Sequence, residues 1–122
     1  MGDLSTNFSK WEIVCPCCAL DCIDLRIIER LQVVRDIAGH PIKVLSGCRC
    51  DKHNKEVNGA EKSRHMVNPE TGLTDAIDFT LSNLHKLGWL GNYLLDGWSG
   101  GFHYYEESYS IHIDLGEKRR WK

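Results

Sequence analysis

The run Ser110-Ile-His112-Ile-Asp114 alternates polar and apolar residues with a period of two, which is the period of a β-strand. Alternate side chains on a strand share a face, so Ser110, His112 and Asp114 point the same way. Two other short segments carry matching chemistry: Ser63-Arg-His65 and Ala76-Ile-Asp78. Asp78 can present its carboxylate from a neighbouring strand, and His65 can reach in from the loop before it. Imidazole nitrogen and carboxylate oxygen both bind zinc at about 2.0–2.2 Å, so His65, Asp78 and His112 can close on one ion. A catalytic zinc takes three protein ligands and leaves a fourth position for water, whose pKa falls toward about 7. The same residues also have plainer uses. A loop histidine serves as a surface group, a strand histidine as a half-buried one, and Asp78 as a turn anchor. Spacing alone leaves both readings open.

The chain has 122 residues, which is one domain, 1–122, with no room for a second. A formal charge of −2 argues against a nucleic-acid footprint. The basic run Lys118-Arg119-Arg120 lies beside Glu117 and reads as a solvated end. Met1 to Lys10 is polar and lacks the apolar run of a secretory signal, and no stretch approaches membrane-spanning length. The expectation is a soluble monomer, made in the cytoplasm and leaving it, if at all, by a route other than a signal peptide. Histidine is abundant: His40, His53, His85 and His103 add to the two above, and His40 and His85 read as ordinary surface residues.

Six cysteines are many for this length. Cys15, Cys17, Cys18 and Cys22 crowd into eight residues, while Cys48 and Cys50 flank Arg49. Three readings compete: reduced or partly buried thiols, a structural zinc joining the clusters, and disulfides between them. The spacing departs from the regular paired Cys-x-x-Cys pattern of ribbon and finger sites, and connectivity cannot be deduced from sequence.

From Asp24 to Ala38, Leu25, Ile28, Leu31, Val34 and Ile37 recur at three- and four-residue steps, predicting an amphipathic helix ended by Gly39. Ser9 can cap a short turn into Trp11 to Val14. Ile42 to Leu45 reads as a strand, Asp51 to Val57 as a helical turn, Ala60 to Thr74 as a loop and Ala76 to Phe79 as a buried strand. Ser82 is the expected cap of a second helix, with Leu84, Leu87, Leu90 and Leu94 inward. Phe102 to Tyr105 and Tyr109 to Leu115 form a hairpin through Glu106-Glu107-Ser108. The fold class is α+β, with helices packed on one face of a small, mainly antiparallel sheet.

The wording around these residues resembles a known family. Leu45-Ser-Gly-Cys-Arg49 and the run on to Asn58-Gly59, then Ser63-Arg-His65, Ala76-Ile-Asp78, His112-Ile-Asp114-Leu-Gly116 and Arg120-Trp121, are similar to the zinc D-Ala-D-Ala carboxypeptidases. These are the VanY-like peptidoglycan peptidases, in the wider clan of lysostaphin and the Hedgehog amino-terminal domain. The resemblance runs from about Phe8 to Trp121 and implies a Hedgehog/D-Ala-D-Ala peptidase-like fold.

It further implies Zn2+ as cofactor, with His65, Asp78 and His112 as its ligands. Arg49 takes the place of the arginine that contacts substrate or steadies the developing oxyanion, and Ser63 that of a hydrogen-bonding partner of the substrate. A permanently charged fork suits either arginine role, the competing reading being a surface ion pair with Asp51 or Glu56. Two departures stand out. About six extra residues, roughly Met66 to Leu73, separate the first histidine from the aspartate and could shape a substrate groove. They also leave Asp75 as a weaker candidate ligand. Where many relatives carry an acid or histidine just before the last ligand, this chain has Tyr109 and Ser110.

Tyr104-Tyr-Glu106 instead looks like the Hedgehog domain, where a glutamate in the matching place sits beside the zinc water. Glu106 is thus the expected general base, with Glu107 and Asp114 following, Asp114 also serving as a group that orients a ligand. The implied activity is hydrolysis of peptidoglycan stem peptides, as a carboxypeptidase or a related endopeptidase, after release in the manner of a phage lysin or virion enzyme. The alternatives are a zinc-bearing module of the same fold that binds without cutting, and a small cysteine-zinc structural protein.

Overall fold

The computed structural model describes residues 4–16, 23–57, 64–68, 71–116 and 119–120. In chain order the elements are α1 (Lys10–Ile13), α2 (Leu25–Ala38), β1 (Ile42–Ser46), α3 (Asp51–Glu56), β2 (Ala76–Leu81), α4 (Leu84–Gly97), β3 (Gly101–Tyr105), a 3-10 turn (Glu106–Ser108), β4 (Ser110–Asp114) and β5 (Arg119–Arg120). The strands form one sheet in the order β1-β2-β4-β3-β5. Every neighbouring pair is antiparallel except β3 with β5.

Helix α2 starts where Asp24 turns its carboxylate onto the Arg26 N–H at 3.0 Å, and stops where Gly39 takes a left-handed conformation, φ 70°. The Arg26 guanidinium beside Asp24 holds that carboxyl below its usual value against the opposing effect of burial. At α1 the Ser9 N–H donates to the Glu12 carboxylate at 2.7 Å, half of a capping box.

The sheet has two chemically different faces. Ile77 and Phe79 of β2, Ile111 and Ile113 of β4 and Phe102 of β3 are buried in a single apolar cluster with Ile27, Ile28 and Leu31 of α2 and Leu87, Leu90 and Leu94 of α4. Truncating a fully buried member such as Phe79 to alanine costs about 3–5 kcal/mol. By alternation, Asp78, Ser110, His112 and Asp114 occupy the opposite face.

Some expectations shift by a residue. Asn83, not Ser82, caps α4, accepting the His85 N–H at 3.1 Å, while the Ser82 N–H goes to the Pro41 carbonyl at 3.0 Å. This turns Leu84 outward, 51% exposed. In α2 the buried stripe runs through Ile27 and Ala38, and the expected flanks Leu25 and Ile37 face solvent. The backbone at Arg119–Arg120 pairs with Gly101 and Phe102 and adds an edge to the sheet. Among the described residues no helix is long and apolar enough to cross a membrane.

Candidate metal centre

A single polar row crosses four strands. Ser46 of β1 stands opposite Asp78 of β2, Asp78 opposite His112 of β4, and His112 opposite His103 of β3. The first of these pairings depends on an irregularity in β1. Val44 pairs with Phe79, yet Asp78 pairs with Ser46, so Leu45 is an extra residue bulged out of the ladder.

His65 enters from the loop before β2 and is 3% exposed. Its carbonyl accepts the Arg49 N–H at 2.8 Å and the Thr74 hydroxyl at 3.1 Å, which fixes the backbone. Its ring Nδ1 lies 2.8 Å from the Gly47 carbonyl. A carbonyl only accepts, so Nδ1 carries the proton and Nε2 turns its lone pair toward Asp78 Oδ1, 3.2 Å away. His112 is held in the complementary sense. Its Nε2 donates to Asp114 Oδ2 at 2.8 Å, and its Nδ1 faces the same Asp78 Oδ1 at 2.8 Å. Asp114 is fully buried and rigidly placed, since its Oδ1 accepts the N–H groups of Gly101 and Gly116 at 3.1 and 2.9 Å.

One carboxylate oxygen therefore faces two imidazole nitrogens, each on a ring whose other nitrogen already donates elsewhere. Two lone pairs and an anion at these distances repel unless protons or a cation lie between them. The protein alone resolves this with protons. Burial disfavours charge on His112, but its hydrogen bonds to Asp114 and Asp78 outweigh burial and raise its pKa. Burial likewise pushes the Asp78 carboxyl up, and the facing His112 and His65 rings override it to hold Asp78 well below the usual carboxylate range. A divalent ion would do the same work with the rings neutral. The donor set fits one: ligating atoms of His65, Asp78 and His112 all lie within 4.8 Å of one another, and no other such group of three occurs among the described residues. An oxygen holding the far nitrogen of each ring is the outer-shell arrangement that metal-binding histidines show.

Arg49 closes one side. Its guanidinium reaches Asp78 Oδ2 at 3.7 Å and is steadied by Ser46 Oγ at 3.3 Å and Asn54 Oδ1 at 3.2 Å. The two Asp78 oxygens are thus divided, Oδ1 toward the histidines and Oδ2 toward Arg49.

The profile of the family described as Peptidase M15 matches residues 6–114, nearly the whole chain and all of this constellation. The chain belongs to the Peptidase M15 family. That family includes the VanY-like zinc D-Ala-D-Ala carboxypeptidases. Comparison with curated proteins gives no match.

The M15 fold places the remaining sequence candidates unequally. Asp75 is taken by Arg64, whose guanidinium bonds both its carboxylate oxygens, so it stands apart from the histidine pair. Glu106 and Glu107 are exposed on the turn after β3. Glu106 is three residues past the row containing His103 and His112, roughly 10 Å along the strand. It borders a surface hollow of about 620 Å³ shared with His103 and Tyr105. Ser63 lies outside the described residues. Part of the extra segment after His65 folds back on itself, the Asn68 N–H meeting the Leu73 carbonyl at 2.8 Å.

Sequence reasoning passed over His103, counting it only among abundant histidines. The register puts it on the polar face directly beside His112, its ring 4.3 Å from that of Tyr105. The signal was present in the alternation Phe102-His103-Tyr104-Tyr105, which pairs His103 with the polar face once Phe102 is assigned to the core. The Gly47 carbonyl and the Ser46–Asn54 support of Arg49 left no such trace.

Proposed function

We propose that this M15 protein is a zinc-dependent peptidase that hydrolyses the stem peptides of bacterial peptidoglycan, with His65, Asp78 and His112 as the zinc ligands. The observation that carries the reading is the convergence of His65 Nε2 and His112 Nδ1 on Asp78 Oδ1, with Gly47 and Asp114 holding the opposite nitrogens. Zinc bound there supplies Lewis acidity toward the scissile carbonyl and toward a water at neutral pH. The protein's part is orientation and charge. Arg49 offers a fixed cationic fork at the edge of the centre, suited to a peptide carboxylate or to the oxyanion of a tetrahedral intermediate. Asp114 keeps His112 in one tautomer. Glu106 takes the general-base role, receiving a proton on its carboxylate and returning it to the leaving amine, and Ser63 hydrogen-bonds the substrate.

The placement of Glu106 favours a second reading, a zinc-bearing module that binds wall peptide without cutting it, because both turn glutamates are solvent-exposed beyond the last paired residues of the hairpin. Purified peptidoglycan incubated with zinc-loaded protein and analysed by mass spectrometry for new termini separates the two. Cleavage that disappears in Glu106→Ala, with zinc retained, supports the peptidase. One equivalent of zinc, lost in His65→Ala, with no new termini from wild type supports the module. Zinc that survives His65→Ala and leaves only on cysteine substitution would overturn both.

A further inference from the structure

We infer that Cys15 and Cys50 are a disulfide-forming pair, a covalent staple between the segment after α1 and the loop that carries Arg49. The inference stands apart from the peptidase reading, since it rests on a different set of contacts. Cys15 Sγ and Cys50 Sγ are 3.7 Å apart, and the Cys50 N–H points at Cys15 Sγ from 3.4 Å. A disulfide spans about 2.05 Å, so the sulfurs have only about 1.7 Å to travel.

The backbones on either side are already aligned. The Cys48 N–H donates to the Ile13 carbonyl at 2.8 Å. Gly47 packs so closely on Ile13 that an added Cβ would sit 2.6 Å from the Ile13 oxygen. The chain therefore runs in fixed register from Ile13 and Cys15 along Gly47 to Cys50, and the staple would close a contact that folding has made. Cys48 is fully buried and lies on the Ile13 side of this register, whereas Cys50 is partly exposed and open to a reagent.

The chemistry is thiol–disulfide exchange with a small disulfide such as oxidised glutathione. The Cys50 thiolate attacks one glutathione sulfur, releasing one glutathione thiolate and leaving Cys50 capped. The Cys15 thiolate then attacks Cys50 Sγ and expels the second glutathione. Two protein thiols become one disulfide, and one oxidised glutathione becomes two reduced molecules. The consequence falls on the metal centre: the stapled loop contains Gly47, whose carbonyl orients His65, and Arg49, which faces Asp78. Outside a reducing cytoplasm the staple would hold both in place.

The test uses the full chain, incubated with oxidised glutathione, alkylated to block remaining thiols and digested without reductant for mass spectrometry. The expected product is a peptide pair joined Cys15 to Cys50, lighter by two hydrogens and separated by dithiothreitol. Oxidation should also raise the Tm of wild type by on the order of 10 °C, and not that of Cys50→Ser. Cys50 recovered joined to Cys17, Cys18 or Cys22, or only as a glutathione adduct, would overturn the inference. So would a second equivalent of zinc that is lost in Cys15→Ser, since the sulfurs would then be metal ligands.

Discussion

His112 and Asp114 belong to the same strand two residues apart, and the carboxylate of one holds the ring of the other, Nε2 to Oδ2 at 2.8 Å. This bond decides which nitrogen His112 turns toward Asp78, and Asp114 is itself pinned by two backbone N–H groups and by the burial of its whole side chain. The strand thus supplies both the ligand and the group that aims it.

Replacing Asp114 by asparagine tests that division of labour. The amide oxygen can still accept the Gly101 and Gly116 N–H groups, but the anion that fixes the His112 tautomer is gone. Zinc affinity, measured by competition with a chromophoric chelator, should fall roughly 10–100-fold while the fold is retained. A loss of less than about three-fold would show that Asp114 does not orient the ring.

Gly47→Ala should couple stability to metal binding. The new Cβ would lie 2.6 Å from the Ile13 oxygen and 2.9 Å from its Cα, both backbone atoms that cannot swing away. Relief requires the loop to shift, at a cost of about 1–3 kcal/mol, and the Gly47 carbonyl shifts with it. Thermal denaturation should show the loss of stability, and zinc titration should show weaker binding although no ligand has changed.

The strand bearing His112 and the α2 helix were legible because their patterns are local. Alternation over Ser110 to Asp114 and three- to four-residue steps over Asp24 to Ala38 identify the elements without any partner. Ser82 and Asn83 are both competent caps, so the start of α4 hinged on one residue of register that packing decided. What joins β1 to β2 was not legible. The Leu45 bulge that sets Ser46 opposite Asp78 is a cross-strand fact with no local signature, whereas the β3–β4 pairing that sets His103 beside His112 follows from the hairpin joined by Glu106-Glu107-Ser108. The Gly47 carbonyl that orients His65 is a backbone atom, which every residue type possesses.

Arg49→Lys should separate charge from geometry. The guanidinium makes three distinct contacts, to Ser46, Asn54 and Asp78, which a single ammonium cannot reproduce. If Arg49 steadies a developing oxyanion, kcat/KM on a peptidoglycan fragment should fall roughly 10²-fold with zinc content unchanged. A change in KM alone would assign Arg49 to substrate binding.

The protonation of the centre gives opposite pH responses with and without metal. In the metal-free protein the hydrogen bonds that His112 donates to Asp114 and Asp78 overcome burial and raise it above its ordinary value of 6.5. A raised pKa means the folded state holds the proton more tightly. The stabilisation is complete below about pH 6.5 and is lost as pH rises through the folded value. Asp78 is depressed below its ordinary 3.8, so its contribution is present above that pH and fades only as pH falls toward its much lower folded value. Chelator-treated protein should therefore have its highest Tm between about pH 4 and 6.5 and lose stability on the alkaline side, a slope missing in His112→Gln. Zinc binding runs the other way, because the ion must displace the His112 proton. Its affinity should rise as pH increases through the raised His112 value, and isothermal titration in buffers of different ionisation enthalpy should detect proton release. If both forms lose stability together on the alkaline side, protons and metal do not compete for the same nitrogens.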